Sequence, residues 1–133
     1  MKSTDLQIGD YALAKPSMML FRVAAVHHKK VGYHAVTHKL NWVRNDLLEP
    51  IPLTLEILER NGFELRDGFF YHRIDDKPHH YDFKLKKGGV FTSEGYTLEC
   101  GIYRLTIRYV HELQHALRLC GLNDLADNFK MEE

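Results

Sequence analysis

Glu49-Pro50-Ile51-Pro52-Leu53 is the segment that most restricts how this chain can fold. Each proline locks its own backbone, lacks an N–H and holds the residue before it extended, so neither a ladder strand nor a helix runs through the joint. With 133 residues, enough for one domain or two very small ones, the joint predicts a first part over residues 1–50 and a second over 51–133.

The first part reads as short strands. Tyr11-Ala12-Leu13-Ala14 is broken by Lys15-Pro16-Ser17, and Leu20 to Val26, Val31 to Thr37 and Asn41-Trp42-Val43-Arg44 follow between polar turns. Closely spaced strands of this kind suggest a small SH3-like antiparallel β-barrel, which closes its sheet and leaves no long open edge.

In the second part Thr54 offers a hydroxyl N-cap to a helix over Leu55 to Arg60, and Asn61-Gly62-Phe63 carries the chemistry of its stop. From Glu64 to Arg108 aromatic and branched residues return in strand-like runs. Tyr81/Phe83/Leu85 and Tyr96/Leu98 alternate with polar neighbours, as on a sheet with one wet face. Ile107 to Cys120 then has helical spacing at Val110, Leu113, Leu117 and Cys120, and this stripe is expected to pack on that sheet. Gly121-Leu122 stops the helix, and Asn123 caps a last short one carrying Leu125 and Phe129. The expected class is α+β: a barrel, then an antiparallel sheet packed against a C-terminal helix.

The helix carries the one motif with catalytic precedent. His111-Glu112-Leu113-Gln114-His115 matches H-E-x-x-H, in which two imidazoles four apart on one helical face bind zinc and the glutamate activates the bound water. The site would then be His111 and His115 as metal ligands, with Glu112 as base and zinc as cofactor. The third ligand weighs against it. The extended metzincin pattern needs Gly and His where this chain has Arg118 and Gly121. Only 18 residues follow His115, with Asp124, Asp127, Glu132 and Glu133 as their carboxylates. His72 and His80 lie upstream without any spacing that favours them. The expectation is therefore a structural helix with His111 and His115 on an exposed face, and no bound metal.

Formal net charge is zero, which gives no global field to collect phosphates and counts against a nucleic-acid partner. Two local basic runs, His27-His28-Lys29-Lys30 and Lys84 to Lys87, read as solvated turns. Cys100 and Cys120 are too few and too far apart for a disulfide framework, no apolar run could span a bilayer, and no signal peptide is evident. A cytoplasmic protein without a membrane partner is expected. Asp75-Asp76 and His79-His80 read as surface turns, Cys120 as core. Tyr33 and Trp42 are candidates for the aromatic groove of an SH3-like barrel.

Ile51-Pro52-Leu53-Thr54, the helix end Asn61-Gly62-Phe63-Glu64, and Ile107-Arg108-Tyr109-Val110-His111-Glu112-Leu113-Gln114 resemble a family of small uncharacterised proteins of Bacteroides-type bacteria and their phages and mobile elements. The resemblance covers most of the chain from about residue 6 onward. In the family's usual wording the positions of Glu112 and His115 are Gln and Asn, which could not build a zinc peptidase site. The resemblance thus implies that HELQH is a variation on a structural helix, and it brings no activity with it. Together these readings favour a non-enzymatic accessory or binding module with a protein partner possible. A zinc-dependent hydrolase and a nucleic-acid-associated module are the alternatives.

Overall fold

A computed structural model describes residues 1–35, 37–66, 68–72, 83–90, 93–100 and 103–131. Asp75-Asp76, His79-His80 and the side chain of His72 lie outside that set. The strands are β1 (Tyr11–Ala14), β2 (Met19–Arg22), β3 (Ala25–His27), β4 (Lys30–His34), β5 (Leu40–Arg44) and β6 (Leu48–Glu49). After helix α1 (Leu55–Arg60) come β7 (Glu64–Arg66), β8 (Phe69–His72), β9 (Phe83–Lys87), β10 (Tyr96–Cys100) and β11 (Tyr103–Ile107). Helices α2 (Val110–Leu119) and α3 (Asn123–Asp127) close the order. Among the described residues every strand pair is antiparallel, and the class is α+β. Among the described residues no helix is long and apolar enough to cross a membrane.

The chain divides into two compact units, Met1–Pro52 with Val110–Asp127, and Leu53–Tyr109 with Asn128–Glu133. The chain leaves the first unit after Pro52. The division into 1–50 and 51–133 is nevertheless incomplete, because α2 and α3 return to the first unit.

In the first unit two three-stranded sheets form, ordered β2-β1-β6 and β3-β4-β5, and neither ladder closes into a barrel. The chain passes from one sheet to the other at Val23-Ala24, where the Val23 N–H donates to Asp10 O and the Ala24 N–H to Gly32 O, both at 2.8 Å. Alternation supplies the core: Ala12 and Ala14 on β1, Phe21 on β2, Val31 on β4 and Val43 on β5 are buried together with Leu6, Val23 and Leu48. Helix α2 packs against β1 and α3. It ends as its Gly-plus-apolar stop requires: Gly121 takes φ +80°, and the Leu122 N–H reaches back to Leu117 O at 2.8 Å.

The second unit holds α1 and a five-stranded sheet ordered β11-β10-β9-β8-β7. Thr54 caps α1 through the Ile57 N–H at 3.3 Å, and Gly62 at φ +85° lets the buried Phe63 fold back, its N–H on Leu58 O at 3.1 Å. Phe70, Leu85 and Leu98 lie side by side across β8, β9 and β10 and are buried, while the next row on the opposite face is Tyr71, Lys84 and Glu99. One dry face and one wet face is what the alternation predicts. The Lys84 to Lys87 run is strand, not turn, because Lys84, Lys86 and Lys87 pair in register with Glu99, Thr97 and Tyr96. The helix expected from Ile107 begins only at Val110. Ile107 pairs with Tyr96 and is buried as the last residue of β11, where a β-branched side chain suits the pleat.

Candidate functional site

Helix α2 presents its polar row to residues 7–11, the stretch leading into β1. Gln114 is fully buried, and its carboxamide works as a backbone substitute. Nε2 donates to Gly9 O at 2.9 Å and Ala126 O at 3.2 Å, while Oε1 accepts the Tyr11 N–H at 3.0 Å. One side chain thereby satisfies three main-chain groups drawn from β1's lead-in and from α3. Without it the Tyr11 N–H would lose this partner, while Gly9 O would keep the longer bond from Arg22 Nε at 3.3 Å.

Beside it lies Asp10, also fully buried. Its Oδ2 accepts the Gln7 N–H at 2.7 Å and meets His115 Nε2, while Oδ1 accepts from Arg118 Nη1 at 2.6 Å. Arg118 also donates to Gln7 Oε1 at 3.1 Å, and its Nε lies 3.7 Å from Asp127 Oδ1. Burying a carboxylate is costly unless charge and hydrogen bonds compensate, and here an arginine, an imidazole and a backbone N–H do so.

His111 sits one turn before His115, their ring centroids 5.6 Å apart in a T-shaped arrangement. It is buried, and loss of solvent holds its pKa below the usual histidine value. Glu112 is half-buried. The expected exposed face is thus corrected: His111 is interior and His115 is drawn toward Asp10. A helical wheel gives the angle between side chains but not what covers them. Here the apolar row Val110, Leu113 and Leu117 and the polar row carrying Gln114 are both covered.

A helical histidine reaches a shared metal with its outer nitrogen, and in His115 that nitrogen lies on Asp10. No group of three or more His, Cys, Asp or Glu side chains suited to a metal occurs among the described residues. Sequence reasoning missed Asp10, Gln114 and Gln7. The only local signal was an acid between Gly9 and a strand, which is ordinary turn chemistry.

Two further surfaces lie in the first unit. An open groove of about 860 Å³ is lined by Tyr11, Met19, Phe21, Tyr33, Arg22 and Asp127. Arg22 lies 5.7 Å from the Tyr11 ring centroid, donates through Nε to Gly9 O at 3.3 Å, and bonds Asp127 O. Tyr33 belongs to this side, its ring 5.3 Å from Phe21. Trp42 does not. It pairs across from Gly32 while Tyr33 pairs with Asn41, so the two aromatics point to opposite faces of the sheet and do not share a groove. Cys120, expected in the core, is half-buried.

Comparison with family models, curated proteins and solved structures gave no match.

Proposed function

We propose that this chain is a non-enzymatic binding module whose HELQH helix is a structural part. The observation that carries the reading is the contact between His115 Nε2 and the buried carboxylate of Asp10, which Arg118 also grips. The nitrogen that a zinc site would need is engaged in an internal network, and the neighbouring Gln114 is bonded to main chain on three sides. The resemblance to small mobile-element proteins, whose helix carries Gln and Asn at the positions of Glu112 and His115, points the same way. An SH3-like reading of the first unit is supported by its six short antiparallel strands in two sheets around one small core. Such units serve as binding platforms for other macromolecules.

Metal analysis of untagged protein tests this, together with hydrolysis assays in added zinc. The expected result is zinc well below one per chain and no zinc-dependent hydrolysis. One zinc per chain, released by His115→Ala together with a hydrolytic activity, overturns it. In that event Glu112→Gln separates the roles, since the base would be lost while the metal stays bound.

A further inference from the structure

The zero net charge conceals a strong local imbalance. Residues 25–46 hold Lys29, Lys30, Lys39 and Arg44 against the single acid Asp46, and four of the nine histidines fall there too. The remainder of the chain has fourteen Lys and Arg against seventeen acids. This segment is the β3-β4-β5 sheet with its turns.

Register sorts the segment's side chains by face. His27, Lys30 and Arg44 stand opposite one another in a row across the three strands. The next row on the same face is Ala25, Gly32 and Trp42, and the row beyond it pairs His34 with Leu40. Gly32 leaves room for the indole: a Cβ there would lie 3.3 Å from Trp42 Cζ3 and 2.9 Å from Leu40 Cδ1. Trp42 is 44% exposed, unusual for so large an aromatic in so small a sheet. The Lys30 ammonium stands 4.6 Å from the indole centroid. At the head of the face the His27 and His28 rings lie tilted at 37° with centroids 4.1 Å apart. His27 is held below its ordinary pKa by lost solvation and by the positive field of His28, Lys30 and Lys29. Arg44 meets Asp46 at 3.3 Å, a largely exposed pair that an incoming anion displaces at little cost.

The wet face of the five-stranded sheet makes a useful contrast. It also carries aromatic residues with a lysine over them, Lys84 lying 5.3 Å from the Tyr71 ring centroid. There, however, Glu64 sits 2.7 Å from Arg66, and Glu99 stands beside Arg104 at 3.9 Å and opposite Lys84 in the ladder. Two acids thus stand between the cations of that face. Within residues 25–46 the one acid is Asp46.

We infer that this face binds single-stranded nucleic acid, an unpaired base stacking on Trp42 while Lys29, Lys30 and Arg44 take the flanking phosphates. An aromatic platform edged by cations on an open sheet is the chemistry that single strands require. A duplex keeps its bases stacked internally and offers the indole nothing but backbone. The inference rests on the binding-module reading and names the partner class.

Trp42 is the only tryptophan, so intrinsic fluorescence reports on the proposed contact directly. The wild-type chain is titrated in low salt with a twenty-nucleotide dT single strand, a duplex of equal length, and inorganic polyphosphate of matched charge. Expected are quenching by the single strand at least tenfold tighter than by the duplex, and a slope of log K on log salt near −2. That slope corresponds to about three phosphates at roughly 0.7 each. Lys30→Glu with Arg44→Glu is expected to weaken binding at least tenfold with the unfolding midpoint unchanged. In anisotropy with a labelled strand, Trp42→Leu is expected to weaken binding several-fold while keeping the salt slope. Absence of quenching, equal affinity for duplex or polyphosphate, or indifference to these substitutions overturns the inference. Such a failure in metal-free protein leaves the binding-module reading standing. Zinc-dependent hydrolysis would remove that reading whatever the oligonucleotide does.

Discussion

Tyr11 and Gln114 are 103 residues apart in sequence, yet the Tyr11 N–H donates to Gln114 Oε1 at 3.0 Å inside the first unit. A β-strand lead-in thereby takes its hydrogen-bond partner from a helix side chain instead of another strand. This is why the C-terminal helix belongs with the N-terminal strands.

Replacing Gln114 should therefore be costly. Gln114→Ala takes the partner from the Tyr11 N–H and a donor from Ala126 O, while Gly9 O keeps Arg22 Nε, and one or two unsatisfied groups at about 1–3 kcal/mol each give an expected loss of about 2–4 kcal/mol. Gln114→Glu keeps the acceptor but loses both donations, and should also destabilise. Urea unfolding followed by circular dichroism measures both.

Asp10 and His115 should behave as a coupled pair. Asp10→Ala leaves the largely buried Arg118 guanidinium without its carboxylate and is expected to cost about 3–5 kcal/mol. His115→Ala removes one of several groups on Asp10, and about 1–3 kcal/mol is expected. The double variant should cost less than the sum of the singles, because each already breaks the shared contact. Strict additivity in denaturant titrations would contradict the network.

His111 gives a pH dependence of definite sign. Burial and the His115 charge depress its pKa, against the upward pull of Glu112, Asp10 and Asp5, with burial dominating. The folded value then lies below the unfolded one, so the unfolded chain takes up a proton first as pH falls. Stability tied to this group is complete above about pH 6.5 and is lost progressively as pH drops through that value toward the depressed one. Relative to wild type, His111→Gln should show a shallower loss between pH 7 and pH 5 in thermal melts. Parallel curves for the two proteins would contradict it.

Leu117 tests the apolar side of the same helix. It is fully buried, and Leu117→Ala is expected to cost about 2–5 kcal/mol by opening a cavity. A change under about half a kcal/mol, the range of ordinary surface substitutions, would mean that the stripe is not core.

Much of this protein was legible locally. Thr54 and Gly62 punctuate α1, Gly121 stops α2, and the alternation around Leu85 and Leu98 marks a two-faced sheet. Capping, turn geometry and strand period act within a few residues, so the string itself carries them. Only the tertiary structure decided that Asp10 and Gln114 are buried partners, that His111 is interior, and that Trp42 and Tyr33 face opposite ways. A contact between positions 10 and 115 leaves no period and no spacing in the sequence. An aspartate beside a glycine and a histidine in a polar helical row each look like solvated surface until folding brings them together and excludes the water.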